Sequence, residues 1–248
     1  MSPLAAAQRF DIDWSQPWLL PLRKRGEAIA SLAGSAGLLE ALNAASHADV
    51  QVAAGRVRFV DPAQQPVGEA YEAFVARTAC VPTRDNLHDF FNAIMWLSCP
   101  AWKRRLNELQ AAQIALSGVA GTRGVVRDAL TLFDENAALL QAPQTLIDTL
   151  QARDWHALFV TRRALWAQAR ITLFGHALLE KLTRPRKAIT AHVWVIPESA
   201  DVSSPHSLTL DRLADRPFLP LPVLGVPSWW PGNEAAGFYA DTTVFRRP

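Results

Sequence analysis

The chain of 248 residues carries a formal net charge of +2; half of its residues are hydrophobic and 19% are charged. This length and composition are typical of a globular protein that buries its core without disulfides or structural metals, and they exclude a disordered chain. The near-neutral charge supplies no overall field that would attract nucleic acid or an anionic membrane. Two cysteines, Cys80 and Cys99, are too few for a disulfide framework and indicate a reducing compartment.

Helical periodicity dominates the first half of the chain, after an irregular arm over residues 1–25. The spacing predicts one helix or two shorter ones over Gly26–Ala45, with a break near Gly34. Polar and apolar residues alternate over Gly55–Asp61, which predicts a short strand. Further helices are expected over Gly68–Ala79, Pro82–Cys99, Ala101–Leu116 and Val125–Leu140.

The second half of the chain combines helices with one strong strand pattern, Ala188–Ile196, which is rich in β-branched and aromatic residues. Residues 217–248 are rich in proline and tryptophan, and we expect them to wrap around the domain and bury its tryptophans. The fold class is therefore mainly α: a single compact helical domain over residues 1–248 with a minor β element of two or three short strands. Helices are expected over Pro143–Gln151, Trp155–Ala167, Arg170–Leu182 and Leu208–Ala214.

The N-terminal sequence has no basic start followed by an apolar run, so a secretory signal is not expected. No uninterrupted apolar stretch reaches the length that spans a bilayer. We therefore expect a soluble, cytoplasmic protein, and the oligomeric state stays open.

An unusual polar face lies on the predicted helix Pro82–Cys99. At 100° per residue, this helix places Asp85, His88, Asp89 and Asn92 opposite an apolar face. Such short, ligand-type side chains suit a metal or substrate site, whereas an ordinary solvated face carries Lys, Glu and Gln. Helix capping and the pairing of buried polar groups explain the same set equally well.

The predicted helix Val125–Leu140 has the clearest separation of apolar and polar faces. Its polar face carries Arg127, Asp128, Asp134 and Glu135. Three carboxylates and an arginine so close together can hold a divalent cation or position a water molecule. A solvent-exposed helix with an internal ion pair is the alternative.

His176 and Glu180 lie four residues apart in the predicted helix Arg170–Leu182, so they share one face. They can bind one metal ion, or the carboxylate can fix the histidine tautomer for proton transfer. Because this helix is strongly apolar, a structural hydrogen bond inside the core is the alternative. His192 lies in the middle of a predicted strand, where either a site or a half-buried position accounts for it.

These sets lead to the hypothesis of a metal-assisted hydrolase for an anionic substrate of the phosphoester type. His88 or Glu180 would act as general base on a bound water. The substrate would be bound by Arg84, Asn92, Arg127 and Lys187. A divalent metal ion would be held by Asp89, Asp128, Asp134, Glu135 and His176. The hypothesis requires that polar side chains from three helices converge on one cavity.

Two other functions stay open. A non-catalytic protein would bind RNA or an acidic protein surface through Arg162–Lys187, which contains seven basic residues and one acidic residue. An interaction module would use the proline- and tryptophan-rich C-terminal segment. The sequence contains no glycine-rich phosphate loop, dinucleotide-binding motif or G-x-S-x-G elbow, so no nucleotide or flavin cofactor is expected.

Four segments occur in order between Tyr71 and Phe245: P-T-R-D-N-L-H-D-F-F-N, R-D-A-L-T-L-F-D-E-N, F-G-H-A-L-L-E-K-L and P-V-L-G-V-P-S-W-W. Together they resemble a bacterial family of uncharacterised proteins, domain of unknown function 3025. The chain departs from the family pattern at Ala137 and Ser228, which affects turn geometry rather than polar groups. The resemblance implies a bacterial, cytoplasmic protein; it supplies no activity, cofactor or catalytic residues.

Overall fold

The computed structural model describes residues 10–117 and 124–247. About 54% of these residues are helical and about 13% lie in strands, which confirms the mainly α class. By its internal contacts the chain divides into two compact units. Among the described residues, unit 1 lies within the bounds Met1–Ser15 and Leu19–Leu130, and unit 2 within Gln16–Trp18 and Thr131–Pro248. The single domain expected over residues 1–248 stays a prediction.

Unit 1 is mostly helical. The helices α1 to α5 are Arg23–Ala36, Leu38–Ala45, Tyr71–Thr78, Leu87–Ser98 and Pro100–Ser117. The strands β1 to β4 are Gln51–Val52, Gly55–Arg56, Arg58–Val60 and Cys80–Pro82. Strands β1 and β2 form an antiparallel pair, and β3 runs parallel to β4. Helices α1 and α2 are separated at Gly37, whose φ of +92° ends the first helix, rather than near Gly34 as expected.

Helix α4 begins at Leu87, five residues later than the sequence predicted. The side chain of Asn86 caps it by accepting a hydrogen bond from the backbone N–H of Asp89 at 2.8 Å. Asp85 therefore lies before the helix and does not belong to its polar face. The helix is buried on nearly all sides, and even Asp89 and Asn92 are less than 10% exposed.

Unit 2 is built around a four-stranded sheet. Its helices are the second half of α6 (Val125–Asn136), α7 (Gln144–Gln151), α8 (His176–Lys181) and α9 (Leu210–Ala214). Its strands β5 to β8 are Ala137–Gln141, Arg170–Leu173, Thr190–Val195 and Leu219–Pro222. The strand order is β6-β5-β7-β8; β5 and β7 are parallel, and the other two pairs are antiparallel.

The β content is larger than the two or three short strands expected, and the two predicted strands do not form one element. Strand β3, within Gly55–Asp61, pairs with β4. Strand β7, within Ala188–Ile196, pairs instead with β5 and β8. The extra strands come from sequence that resembled helix or loop.

Three of the expected helices are wrong in part. The helix predicted over Val125–Leu140 ends at Asn136, because the next five residues form β5 and are buried throughout. Such an apolar run carries no period that separates a buried strand from a buried helix. In Arg170–Leu182 the first four residues form β6 and only His176–Lys181 is helical. Trp155–Ala167 contains a π-helical turn and a 3-10 helix instead of one α-helix.

An aromatic cluster joins α6 to the sheet of unit 2. The ring of Phe133 lies 5.1 Å from Phe174 and 5.3 Å from Trp194, measured between ring centroids. Phe218 lies 5.6 Å from Trp194 and completes the cluster. Each edge-to-face or tilted aromatic pair contributes on the order of 1 kcal/mol beyond the burial of its area. The cluster therefore holds the C-terminal end of α6 in a fixed position on the sheet.

The C-terminal segment is packed into unit 2. Its first part forms β8 at the edge of the sheet. Proline is tolerated on an edge strand, because a backbone N–H that faces away from the sheet has no neighbouring strand to hydrogen-bond. Asn233 is 1% exposed and donates from Nδ2 to the carbonyl oxygens of Leu224 and Val226, at 2.8 and 2.7 Å. Phe245 is 3% exposed, whereas the paired tryptophans Trp229–Trp230 are half-buried.

Both cysteines are free. Burial raises the pKa of the Cys99 thiol to about 11, so it carries little thiolate at neutral pH and is a poor nucleophile. Within the described residues, no helix has both the length and the apolar character that a membrane span needs.

The packing of the C-terminal segment predicts that Asn233→Ala lowers the free energy of unfolding by about 1–3 kcal/mol, because two buried carbonyl groups lose their donor. Equilibrium unfolding in urea measures this change. The matched control is Glu234→Ala, which removes a partly exposed ion pair with Arg163 and is expected to cost less than about 1 kcal/mol. Equal, small effects of the two substitutions would contradict a docked segment.

Candidate functional site

The candidate site surrounds the point where α6 passes directly into β5, residues Asp134–Ala137, here named the α6–β5 junction. The carbonyl oxygen of Ala137 accepts hydrogen bonds from the backbone N–H groups of Phe174 and Gly175, both at 2.9 Å. These two bonds attach the turn between β6 and α8 to the junction. Helix α8 therefore begins beside the last turn of α6.

Gly175 makes this close approach possible. A Cβ atom at this position would lie 2.4 Å from the backbone nitrogen of Asn136 and 2.4 Å from the carbonyl oxygen of Glu135. Backbone atoms cannot rotate away as a flexible side chain can, so a larger residue would push α8 off the junction. The φ of Gly175 is −64°, which any residue can adopt, so glycine is required here by the lack of space for a Cβ atom and not by backbone conformation.

Helix α8 is connected to α6 at both of its ends. At its start, Nδ1 of His176 lies 3.7 Å from Oδ1 of Asp134, and the two side chains are only 8% and 15% exposed. At its end, Nζ of Lys181 donates to Oδ1 of Asn136 at 3.0 Å. The sequence named His176 and Asp134 as separate metal ligands; the structure brings them together as a histidine–carboxylate pair.

His192 lies next to the junction on the neighbouring strand, because it is opposite Ala137 in the parallel pairing of β5 and β7. Its ring meets Phe218 edge to face, with 6.2 Å between centroids. Burial lowers the pKa of His192 below its ordinary value, and the positive charge of Lys181 lowers it further. The imidazole is therefore neutral at pH 7. Its Nδ1 is buried, and nothing in the described part of the chain hydrogen-bonds to it.

In unit 1, Asp89 is held by Arg84. Its carboxylate accepts from the backbone N–H of Arg84 at 2.6 Å and from Nε and Nη2 of the guanidinium at 3.0 and 2.9 Å. The hydrogen bond and the charge of Asp89 raise the pKa of the Arg84 guanidinium. Both carboxylate oxygens are thereby occupied. This arrangement favours a structural ion pair at the start of α4 over the metal and substrate roles that the sequence suggested for these two residues.

Asn92 belongs to a buried network that the sequence did not reveal. Its Nδ2 donates to the hydroxyl of Tyr71 at 2.9 Å, and its Oδ1 accepts from Nζ of Lys103 at 2.8 Å. Lys103 is only 3% exposed, and its ammonium lies 5.4 Å from the centre of the Trp96 ring. Lysine is typical of solvated helix faces, so nothing in the sequence indicated that Lys103 is buried. The network accounts for Asn92 without a substrate.

Four other predicted residues occupy positions of differing exposure. His88 in α4 and Glu180 in α8 are half-buried, as is Glu135 at the α6–β5 junction. Asp128 is exposed in the first turn of α6. The convergence of His88, Asp128 and His176 on one cavity stays a prediction.

Two basic residues predicted to bind substrate have different surroundings. Arg127 has a buried Nη1 that no group within the described ranges hydrogen-bonds. Nζ of Lys187 lies 3.0 Å from Oδ2 of Asp241 and 4.3 Å from the centre of the Phe238 ring. Hydrogen bonds from the Thr243 hydroxyl and then from Lys187 lower the pKa of Asp241 to about 2. Lys187 thus holds the C-terminal segment in place through its ion pair with Asp241.

Across residues 10–117 and 124–247, no three His, Cys, Asp or Glu side chains are grouped so that they could hold a metal ion. Of the five residues predicted as metal ligands, the structure pairs Asp134 with His176 and occupies Asp89 with Arg84. The chemistry that this arrangement favours is proton transfer by a histidine beside a carboxylate.

The sequence matches the family described as "Protein of unknown function (DUF3025)" over residues 57–248, and the chain belongs to this family. This confirms the resemblance found in the four sequence segments. No curated protein and no solved structure matches the chain.

The close approach at the junction predicts that Gly175→Ala lowers the free energy of unfolding by about 1–3 kcal/mol, because the added methyl group collides with backbone. The matched control is Gly237→Ala, also in unit 2, where an added Cβ meets nothing within 4 Å and the change is expected to stay within about 0.5 kcal/mol. Unfolding in urea measures both. Equal stability of the two variants would show that the junction is looser than described.

The lowered pKa of His192 predicts a loss of stability in acid. Below the ordinary histidine pKa of 6.5, the unfolded chain binds a proton that the native imidazole does not, so this group has little effect on folding above pH 6.5 and opposes folding increasingly as the pH falls below it. His192→Gln removes this contribution. The free energy of unfolding of the variant should therefore fall less between pH 7.5 and pH 5.5 than that of the wild type. His206→Gln, which removes an exposed histidine, is the control and should follow the wild type.

Proposed function

We propose that this protein is a hydrolase for an anionic substrate, in which His176 acts as general base and Asp134 orients it. The observation that carries the proposal is the pairing of these two side chains, with Nδ1 and Oδ1 3.7 Å apart and both side chains largely buried. A histidine is the side chain best suited to accept and return a proton near pH 7. A buried carboxylate beside it stabilises the charged form that appears during the reaction.

The geometry also suggests which nitrogen of His176 accepts the proton. A carboxylate facing Nδ1 favours the tautomer with its proton on Nδ1, which leaves Nε2 as the proton acceptor. The 3.7 Å separation is longer than a hydrogen bond, as is common for catalytic pairs in structures without substrate. Gly175 determines the position of His176 by holding the start of α8 against α6.

In the proposed reaction, Nε2 of His176 takes a proton from a water molecule while the water oxygen bonds to the electrophilic centre of the substrate. The imidazolium, stabilised by Asp134, then gives that proton to the leaving group as its bond breaks. Water is thus divided between the two products, and His176 returns to its neutral form. No oxidant, reductant or further reactant takes part.

The anionic character of the substrate rests on the charges near the end of α8. Lys181, Arg184 and Arg186 are exposed there, and Glu180 is the only acidic residue in the same stretch of sequence. A basic surface beside a reaction centre raises the local concentration of an anion. Phosphoesters and carboxylate-bearing esters are the substrate classes that combine hydrolysis with negative charge.

A metal-assisted form of the reaction, as the sequence suggested, would need a further ligand beside His176 and Asp134. Glu135 and Glu180 are the carboxylates nearest in sequence to the pair. The His176–Asp134 proposal does not depend on them. Sensitivity of the reaction to a chelator distinguishes the two forms.

The alternative of an RNA-binding or acidic-surface-binding protein is less well supported. Three of the seven basic residues in Arg162–Lys187 are engaged within unit 2: Arg162 donates to the hydroxyl of Thr149, Arg163 to Asn233, and Lys187 to Asp241. A continuous nucleic-acid surface would instead leave its basic side chains available to phosphates. We therefore favour a small anionic substrate.

The proposal predicts that His176→Asn lowers kcat/KM by about 10²–10⁴-fold, because general-base catalysis is lost. The measurement is a hydrolysis assay with p-nitrophenyl phosphate, bis-p-nitrophenyl phosphate and mono-p-nitrophenyl succinate, an ester that bears a free carboxylate, with and without EDTA. Asp134→Asn should lower the rate and shift its pH profile, since the imidazolium loses its stabilising charge. The control is His206→Asn, with unfolding in urea to show that each variant folds.

Two results would overturn the proposal. Absence of hydrolysis of all three substrates by the wild type, with and without added divalent ions, would reject a hydrolase of these classes. Full activity of a folded His176→Asn variant would reject the role of His176.

A further inference from the structure

We propose that Lys181, Asn136 and His192 form a subsite for an oxyanion, a phosphate or a carboxylate, on the substrate of the proposed hydrolase. The three residues belong to adjoining elements: Asn136 immediately precedes β5, Nζ of Lys181 donates to it from the end of α8, and His192 is opposite the first residue of β5 on β7. The link of this subsite to hydrolysis rests on the proposed function. The binding of an anion at the subsite does not depend on that function.

The ammonium of Lys181 has a neutral partner. Nζ donates to the amide oxygen of Asn136 at 3.0 Å, and in the described part of the chain no carboxylate lies within ion-pair distance of it. The neighbouring Lys187, by contrast, is paired with Asp241. An amide fixes the direction of the ammonium without neutralising its charge, so the positive charge remains available to an anion.

Asn136 also contributes a donor. Because its Oδ1 faces the ammonium of Lys181, which can only donate, the NH2 group of the same amide points away from Nζ. No hydrogen bond of this NH2 group occurs among the described residues, and the side chain is only half-buried. An oxyanion bound by Lys181 can therefore accept a second hydrogen bond from the amide.

His192 adds a neutral polar ring to the same region. Its Nδ1 is buried and lacks a hydrogen-bond partner within residues 10–117 and 124–247, which is costly for a polar atom. The ring is neutral, because burial and the nearby charge of Lys181 lower its pKa, so it can present one N–H donor. Negative charge at this place would interact with the imidazole N–H and the ammonium together.

The position of the subsite limits the substrate. His176 and Lys181 are the first and last residues of α8, about 7.5 Å apart along the helix axis at 1.5 Å per residue. The anionic group at Lys181 is therefore not the group attacked at His176. We infer a substrate whose negative charge lies several bonds away from the bond that is hydrolysed.

The test measures binding of inorganic phosphate and of acetate to the full chain by isothermal titration calorimetry and by the shift in melting temperature. One of the two anions should stabilise the wild type, and the preferred anion identifies the class. Lys181→Gln should weaken its binding at least tenfold, the loss expected for one charge-assisted hydrogen bond. Asn136→Asp should weaken it similarly, because the new carboxylate pairs with Lys181 and repels the anion.

The matched control is Arg170→Gln, which removes an exposed cation of unit 2 at the end of β6 that pairs with Gln141, and it should leave binding unchanged. Unfolding in urea shows whether each variant folds. No binding of either anion to the wild type would overturn the proposal, as would equal losses in Lys181→Gln and Arg170→Gln. His176→Asn should still bind the anion, so a failure of the hydrolase proposal is distinguishable from a failure of the subsite.

Discussion

The close contact of Gly175 with the α6–β5 junction is the constraint on which the arrangement of unit 2 depends. The junction has no loop, so its backbone N–H and C=O groups are available to neighbouring elements, and Ala137 accepts two hydrogen bonds from the turn that precedes α8. Only glycine fits against the backbone of Glu135 and Asn136 there. As a result α8 lies beside α6 and is connected to it at both ends, by His176 with Asp134 and by Lys181 with Asn136.

Two sets of polar residues differ in how completely they are paired. In unit 1, Arg84 satisfies Asp89, and Lys103 satisfies Asn92, so these buried polar groups have protein partners and stabilise the start and the middle of α4. In unit 2, the cation of Lys181 has only an amide partner among the described residues, and Nδ1 of His192 has none there. Incomplete pairing of buried or positioned polar groups is what distinguishes a candidate binding site from a structural network.

Periodicity alone predicted the helices that have one apolar face, such as α7, and the strand pattern of β7, because side-chain direction in these elements follows the sequence period. It did not predict β5 or β6. Ala137–Gln141 is buried on both faces and therefore carries no alternation, and Arg170–Leu173 is too short for its period to be measured. For the site, the sequence identified Asp134 and His176 by residue type but assigned them to a metal ion rather than to each other.

By itself, then, the sequence determined the mainly helical class, the membership in the family and the residue types available for proton transfer. The tertiary structure decided which of these residues meet. Lys103 and Asn92, or Lys181 and Asn136, are distant in the chain, and their pairing depends on how helices pack and on which strands are neighbours. Those contacts follow from shape and burial summed over whole elements, which a local pattern does not contain.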